Sequence, residues 1–384
     1  MPNPDRHMAT LRRIDGVTPI DGADRIEAAH VGGWDVVIGK GDFHEGDIVV
    51  FFEIDTFFPK SDKHFAFLMP RGTKRMIVVN DDGSTSDVIG HVLRTAKMRG
   101  VYSQGLLMSP QDFGIDIDKY DAKDIDSHPD VTSICGVWEY VPPMPIGQVG
   151  IIGRFNERYA HRTDAVRIQN ISPVAWQAMH DVPFHATVKV DGMSTTVRSD
   201  ADGTMHVYSH ANELDTSDGN SLGKEILQAY EASGIAQWCR QHTDYAVQGE
   251  FFGSKINGNR LGVQRRRVMA FALWHAYTET SPRRKEDPYA IGFVDEFKYS
   301  FVPTPDGPDG KPLMSLDAFA TPSDLIDFVS NHLVGNVMKG RLDEGIVLHY
   351  VDDGSAAARV LRDELGENME VKVISNRYLL KAKE

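Results

Sequence analysis

Residues 185–192 read HATVKVDG, and the second half of the chain is interpreted outward from this stretch. The short run up to Lys189 is typical of a β-strand. Asp191 and Gly192 form a common turn pair, because both residue types suit the backbone of tight turns. A lysine, aspartate and glycine at this spacing arise by chance in about one chain in ten of this length. Alone, the pattern predicts only a strand that ends in a turn beside an exposed lysine.

The segments around this stretch have a mixed pattern. Short apolar runs predict strands at 206–210, 245–252, 267–275 and 344–350, whereas 221–241 and 322–334 space their apolar residues as helices do. These elements predict an α+β domain with antiparallel strands.

The N-terminal part has a different pattern. Between residue 8 and about 145, short apolar runs are interrupted by glycine and aspartate, which predicts a small β-barrel or sandwich. Residues 34–38 and 48–54 are expected to pair, with Gly41 and Gly46 in the turn region. The segment 141–153 is rich in proline and glycine and is the best linker candidate.

Composition is that of a soluble globular protein, with 41% hydrophobic and 25% charged residues. No apolar run reaches the 18 or so residues of a membrane span, and the first residues lack the apolar segment of a signal peptide. We therefore expect a cytoplasmic location. The two cysteines, Cys135 and Cys239, are expected to be buried thiols, since two cannot build a disulfide framework or a four-thiolate zinc site.

The net charge of −14 argues against a protein that simply coats nucleic acid, because phosphate contacts come from lysine and arginine. Any basic surface must be local. Three clusters qualify, although such a cluster alone is more often a solvated face: Arg71, Lys74 and Arg75; Arg94, Lys97 and Arg99; Arg260, Arg265, Arg266 and Arg267.

Four further elements follow Lys189 in a fixed order, each at a predicted strand edge. They are QGEFFG at 248–253, VMAFALW at 268–274, DEGIVL at 343–348 and EVKVIS at 370–375. This ordered set resembles the motifs of the covalent nucleotidyltransferase superfamily, which includes polynucleotide ligases and messenger-RNA capping enzymes. The resemblance implies the following roles: Lys189 as nucleophile on the α-phosphate; Val188, Asp191, Gly192, Arg167, Glu250, Phe271 and Lys372 in nucleotide binding, with Phe271 stacked on the base; and Asp191, Glu250 and Glu344 around a metal ion, through water.

A closer resemblance narrows the family. The residues 21–59, 93–107, 162–170 and 371–381 are similar to one subgroup of ATP-dependent RNA ligases with an N-terminal OB-fold-like module. The resemblance implies an OB-like β-barrel module at 1–147, followed at 148–384 by a nucleotidyltransferase (ATP-grasp-like ligase) domain of antiparallel sheets and helices. Residues 277–335 match nothing in the subgroup and are interpreted as an insertion. The resemblance also implies ATP and either Mg²⁺ or Mn²⁺ as cofactors. It implies a monomer that acts on an RNA or RNA/DNA duplex with a strand break.

Two positions depart from the subgroup. Tyr208, Ser209 and His210 stand where it usually has a serine-arginine pair, so His210 takes the place of a phosphate-binding arginine. The last motif usually has two lysines one residue apart, but here Glu370 and Ile374 flank Lys372 at those spacings. Both departures concern the binding of the triphosphate rather than the nucleophile.

The chemistry explains why these residue types are needed. A lysine is protonated at neutral pH and attacks phosphorus only when its pKa is lowered, which a metal ion with Lys372 and Arg167 would do. Pyrophosphate departs in line, which requires cations on the phosphate oxygens.

Other functions share parts of this pattern. A capping-type guanylyltransferase uses the same lysine chemistry but usually has its OB domain after the catalytic domain. A NAD-dependent DNA ligase usually has a four-cysteine zinc module. A non-catalytic nucleic-acid-binding protein is the third alternative, and the His210 departure is compatible with it.

Overall fold

The computed structural model describes residues 6–79, 85–141, 150–162, 164–219, 221–276 and 284–381. The chain divides into two compact units, Met1–Met144 with Leu379–Glu384, and Pro145–Tyr378. The boundary predicted at 147/148, most of the linker predicted at 141–153, and the start of the insertion predicted at 277–335 lie outside the described residues. These assignments stay predictions.

Most of the regular elements of the first unit are β-strands. Its strands are β1 Ala9–Arg13, β2 Gly16–Pro19, β3 Ile26–Val31, β4 Trp34–Gly39, β5 Ile48–Glu53, β6 Thr56–Pro59, β7 Lys74–Val79, β8 Thr85–Val92, β9 Ala96–Met98, β10 Val101–Ser103, β11 Gly105–Met108 and β12 Trp138–Glu139. One α-helix, α1 Ala122–Asp126, and 3-10 turns at Lys63–Arg71, Pro110–Phe113 and Ile117–Lys119 complete its described elements. The strand orders are β1-β5-β11, β2-β3-β4, β12-β6-β8-β7 and β10-β9.

One pairing in this unit differs from the expectation. Strands β4 and β5 both form, but β4 pairs with β3, and β5 pairs with β1 and β11. Val31 and Trp34 face each other across a two-residue turn in which Gly32 has a φ of 59°. A two-glycine turn between two apolar runs favours a hairpin, and the eight residues between β4 and β5 do not provide such a turn.

Aromatic side chains fill the core of the first unit. The rings of Phe52, Phe58 and Phe65 are fully buried, and their centroids lie 4.6–5.8 Å apart. Cys135 lies in the same core, and Cys239 is buried in the second unit, so both thiols are buried as expected.

The second unit combines two sheets with helices. Its strands are β13 Ile151–Arg154, β14 Val166–Arg167, β15 Phe184–Lys189, β16 Met193–Ser199, β17 Met205–Ser209, β18 Asn212–Leu214, β19 Tyr245–Phe252, β20 Arg267–His275, β21 Arg284–Glu286, β22 Gly345–Tyr350 and β23 Glu370–Ile374. Its helices are α2 Pro173–Asp181, α3 Leu222–Ser233, α4 Ile235–Gln241, α5 Phe293–Glu296, α6 Pro322–His332 and α7 Ala356–Leu365, with 3-10 turns at Ile168–Asn170 and Asn257–Asn259. The last helix, α8 Asn376–Lys381, begins in this unit, and its residues from Leu379 onward are counted with the first. The helical pattern at 221–241 forms two helices rather than one, because Gly234 between them has a φ of 85°.

The two sheets of this unit have the orders β13-β18-β17-β16-β19-β20-β21 and β14-β23-β22-β15. All their strand pairs are antiparallel except β14 with β23, which is parallel. The expected α+β class with antiparallel strands is confirmed, with that one parallel pair as an addition. Helices α3 and α4 pack into the core of the larger sheet, and α2, α6 and α7 into that of the smaller one. Both sheets therefore give the side chains at their strand ends a rigid support.

Among the described helices, none combines the length and the apolar character that crossing a bilayer requires.

Candidate active site

Lys189 is the last residue of β15 and faces the start of β22. The two strands are antiparallel, with Lys189 opposite Gly345. This register places Glu344 beside the lysine, and the Glu344 Oε2 lies 2.8 Å from the Lys189 Nζ. A side chain at Gly345 would meet the Val373 carbonyl oxygen of β23 at 2.1 Å, so the close approach of these strands requires a glycine there.

The turn after Lys189 leads the chain against β19. Gly192 packs so tightly on that strand that a Cβ atom would lie 2.5 Å from the Phe251 carbonyl oxygen. Its amide hydrogen-bonds Glu250, and β16 then pairs with β19, with Ser194 opposite Glu250. The aspartate-glycine pair therefore forms a turn, and the turn brings the carboxylate of Glu250 to the lysine.

Three carboxylates surround this one lysine. Burial lowers the pKa of Lys189, but the charges of Glu344, Glu250 and Asp191 outweigh it, so the net pKa lies above its ordinary value. Burial raises the pKa of Glu250 to about 8, with a further contribution from Glu344 and Asp191. The expectation of a lowered lysine pKa is thus not met by the protein groups alone, because acids outnumber cations around the Nζ.

Asp191 has two partners that the sequence did not suggest. Its carboxylate lies 3.9 Å from the Arg260 Nε and hydrogen-bonds the Tyr378 hydroxyl. The Arg260 guanidinium lies over the Tyr378 ring, 4.6 Å from its centroid. Burial and the Glu344 charge raise the pKa of Asp191. Arg260 belonged to one of the predicted basic clusters, but its neighbour Asp191 lies far away in the sequence.

A cleft of about 830 Å³, open to solvent, lies beside Lys189. Five of the predicted residues line it: Val188, Lys189, Glu250, Phe271 and Lys372. The other lining residues are Asp164, Ala165, Thr187, Val190, Ser194, His210, Val302, Val347, His349 and Glu370. Phe271 is only partly buried, which leaves part of its ring available for stacking.

Four predicted residues do not line this cleft. Arg167 is only 8% exposed and lies on β14, opposite Lys372 of β23. Asp191 and Gly192 lie in the bend that follows Lys189, and Glu344, the residue before β22, contacts the lysine. Arg167 therefore lies beside Lys372 in the sheet. Glu344 and Asp191 belong to the charge cluster of the lysine.

The two departures from the ligase pattern both lie in the cleft. The His210 Nε2 is 3.5 Å from the Asp164 Oδ2, and both residues line the wall. Glu370 contacts the Lys285 Nζ and lies 2.8 Å from the His349 Nδ1. Lys285 thus brings a positive charge to the strand position where the subgroup usually has a lysine.

The carboxylates of Asp191, Glu250 and Glu344 are the candidate ligands for a metal ion. Within the described ranges, no three His, Cys, Asp or Glu side chains converge closely enough to hold a metal ion by themselves. The Asp191 Oδ2 is nevertheless buried and accepts no hydrogen bond, and Glu250 and Glu344 lie around the same lysine. Carboxylate oxygens suit Mg²⁺ or Mn²⁺, and Mg²⁺ usually keeps several waters in protein sites. The residues fit a divalent ion held partly through water.

Comparison with known proteins finds similarity to an OB-fold domain and to RNA ligase structures. Residues 8–110 match the model of an OB-fold domain. The sequence matches none of the curated proteins. The whole chain is similar to solved structures of a Naegleria gruberi RNA ligase. A variant with AMP and manganese has a TM-score of 0.75, and the ligase with pyrophosphate has 0.74. A variant with a lysine replaced by alanine, with ATP and manganese, has 0.73. Each is 26% identical, and the match covers 98% of this chain and 99% of that chain.

Proposed function

We propose that this chain, an ATP-dependent RNA ligase by its full-length similarity to solved ligases, joins RNA ends by carrying AMP on Lys189. One observation carries the proposal. The Lys189 Nζ stands in a cleft with a partly exposed aromatic ring, Phe271, and a second lysine, Lys372, and it contacts Glu344. The relatives were solved with ATP, AMP or pyrophosphate, and with manganese. ATP and a divalent ion, Mg²⁺ or Mn²⁺, are accordingly its cofactors.

In the first step the Lys189 Nζ attacks the α-phosphorus of ATP. The nitrogen-phosphorus bond forms as the bond from the α-phosphorus to the bridging oxygen breaks, and pyrophosphate leaves. Phosphoryl transfer of this kind depends on in-line positioning and on positive charge at the phosphate oxygens. Lys372 lines the same cleft and supplies such a charge from β23.

Lys189 must lose its ammonium proton before it can attack. The surrounding acids favour the protonated form. Asp191, Glu250 and Glu344 would hold a divalent ion, and its positive charge would offset them. Glu344, at 2.8 Å, lies within reach to accept the proton from the Nζ. The same carboxylate therefore holds the lysine in place and is positioned to take its proton.

The next two steps move the AMP. The adenylyl group passes from Lys189 to the 5′-phosphate of the RNA, which frees the lysine. A 3′-hydroxyl then attacks that 5′-phosphate and AMP leaves, so the two strands are joined. The substrate we propose is a break in an RNA or RNA/DNA duplex, held in part by the OB-fold unit, since OB-folds commonly bind nucleic acid through an exposed strand face.

The experiment is sealing of a duplex with a single nick that has an RNA 3′-hydroxyl. We expect joining only with ATP and Mg²⁺ or Mn²⁺, and none from Lys189→Ala. Lys298→Ala is the matched control, because Lys298 is an exposed lysine of the same unit, and it should seal normally. Transfer of label to the protein from GTP but not from ATP would instead support the guanylyltransferase.

A further inference from the structure

The connection between β19 and β20 carries only positive charge. Phe252 of β19 faces Arg267 of β20, so the residues between them form a single loop. We call residues 253–267 the basic loop. Five of these residues are Lys or Arg and none is Asp or Glu, whereas the whole chain has 55 acidic and 41 basic residues. The basic loop is therefore a local exception in a chain with a net charge of −14.

The basic loop lies against the bend that follows Lys189. The Asn257 Nδ2 donates a hydrogen bond to the Gly192 carbonyl oxygen. The Arg260 Nε lies 3.9 Å from the Asp191 Oδ2. Both contacts fall on the residues directly after the lysine that carries AMP in the proposed reaction. The loop is thus attached next to the place where the RNA end has to arrive.

Side-chain hydrogen bonds fix the shape of the basic loop. The Asn259 Oδ1 accepts a hydrogen bond from the Val263 amide at 2.9 Å, and its Nδ2 donates to the Val263 carbonyl oxygen at 3.0 Å. The Arg266 Nε donates to the Ser254 carbonyl oxygen at 3.0 Å, which closes the base of the loop. Lys255 has a φ of 66°, a backbone conformation that a lysine keeps only where its surroundings hold it. A loop held in this way binds a ligand with little further loss of conformational freedom.

The five cations of the basic loop fall into two groups. Arg260 and Arg266 are half-buried and have acidic partners, Asp191 and Glu225. The other three side chains are exposed and, within the described ranges, form no ion pair: Lys255, Arg265 and Arg267. The first group therefore supports the loop, and the second presents its charge to solvent, where a phosphate can reach it.

We propose that Lys255, Arg265 and Arg267 bind backbone phosphates of the broken RNA duplex beside the break, and so hold the RNA end next to Lys189. This inference rests on the proposed function, since it names a surface of the second unit that binds the same substrate. Phosphate contacts fix the position and register of a strand without reading its bases. The basic loop therefore acts in the steps that involve RNA, and self-adenylylation proceeds without it.

The test is a triple variant, Lys255→Gln with Arg265→Gln and Arg267→Gln, which removes the three exposed charges of the basic loop. Protein already carrying AMP is mixed with a nicked duplex, and sealing is followed against RNA concentration at several salt concentrations. The half-saturating RNA concentration should rise at least about tenfold at low salt. The slope of log affinity against log salt should become shallower by about 2 to 3, since each phosphate contact contributes about 0.7 to 0.9.

Two further triple variants separate local charge from overall charge and from side-chain shape. Lys298→Gln with Lys311→Gln and Arg359→Gln removes the same charge from exposed side chains elsewhere in this unit, and it should bind RNA as the wild type does. Lys255→Arg with Arg265→Lys and Arg267→Lys keeps the charge of the basic loop and should keep the affinity. Formation of the AMP adduct from ATP, a step without RNA, shows that each variant is folded.

The failures of the two proposals are distinguishable. Absence of any AMP adduct on the wild-type protein would overturn the proposed function and this inference with it. A normal adduct with wild-type affinity and salt slope in the variant of the basic loop would overturn this inference alone. An equal loss of affinity in the Lys298, Lys311 and Arg359 variant would also overturn it, because overall charge would then explain the effect. Loss confined to the variant that removes the charge of the basic loop would support it.

Discussion

Lys189 lies in a cluster in which acidic side chains outnumber its own ammonium group. Three acids, Asp191, Glu250 and Glu344, act on one ammonium group, and burial with acid repulsion raises the pKa of Glu250 to about 8. Like charges held together cost stability and are typical of functional sites rather than of structural ones. The cluster is thus arranged for chemistry at the expense of stability.

We expect two adjacent acids to have different roles: Glu344 in the reaction and Asp343 in the stability of the fold. Glu344→Gln removes the carboxylate beside the Lys189 Nζ, and we expect adenylylation to fall at least about 100-fold, in the range of general acid-base effects. Its thermal midpoint should stay the same or rise, because acid repulsion is relieved. The measurement is adduct yield together with thermal unfolding.

Asp343 provides the matched control. It is 1% exposed and accepts hydrogen bonds from the amides of Asn336 and Val337 at 2.9 and 3.3 Å. Asp343→Ala should destabilise the fold by about 1 to 3 kcal/mol, because buried donors lose their acceptor. If Glu344→Gln keeps full adenylylation while Asp343→Ala loses it at a temperature where it is folded, the roles given to these residues are wrong.

The order of motifs predicted the residues that stand on strands facing the cleft. Phe271 and Lys372 line its wall with Lys189, and sequence order was enough to find them. Tyr378 and Lys285 were missed, since each acts through a partner distant in sequence, Asp191 and Glu370. No local pattern marks such a pair. Arg167 is 8% exposed and pairs with Lys372 across β14 and β23, and its contact with the triphosphate stays a prediction.

At the scale of elements, the register of β15, β22 and β23 builds the site. Gly345 opposite Lys189 and Glu370 opposite His349 are set by the same two pairings. The strands themselves could be predicted from their apolar runs, but register depends on tertiary packing, which a single sequence does not specify. The prediction that β4 pairs with β5 was wrong for a related reason, because it chose the partner strand by proximity along the chain.

Glu370, which contacts Lys285 and His349, makes β22 and β23 sensitive to acid. The pKa of Glu370 in the folded protein, about 2, lies below the ordinary value of 4.5. The stabilisation that its ionised carboxylate contributes is therefore fully present above about pH 4.5 and is lost as the pH falls towards 2. The lowered pKa of His349 acts in the same direction, since protonation opposes folding. Hydrogen exchange of β22 and β23 amides should show opening free energies that fall over this range in the wild type.

In Glu370→Gln the acid dependence over that range should be smaller. Glu367→Gln is the control, because that side chain is 83% exposed, and it should behave as the wild type. If the opening free energies fall with pH as steeply in Glu370→Gln as in the wild type, the ionised Glu370 carboxylate does not stabilise these strands.

At the scale of the whole molecule, an acidic chain has to bind a polyanion. With a net charge of −14, binding must rely on a few local cations. In the first unit, Arg94 is paired with Asp55, but Lys97 and Arg99 are exposed on the β9–β10 hairpin. The Lys97 Nζ lies over the Tyr102 ring, 4.6 Å from its centroid. A cation next to an aromatic ring suits a single strand or a strand end.

Reversing the hairpin charges tests this surface. The double variant Lys97→Glu, Arg99→Glu should weaken sealing of a nicked duplex severalfold and reduce its salt dependence, because fewer counterions are released. Self-adenylylation should be unchanged. The control, Lys119→Glu with Lys123→Glu, makes the same charge change at exposed lysines of the same unit. Equal sealing by both double variants would show that the hairpin does not hold the nucleic acid.

The most direct test of the account is where the AMP is attached. The wild-type protein is incubated with ATP and Mg²⁺, digested, and its peptides are mapped by mass spectrometry. We expect one AMP per chain, on Lys189, and its removal when pyrophosphate is added, because the first step is reversible. An AMP on any other residue, or none on a folded protein that still seals RNA, would contradict the central claim.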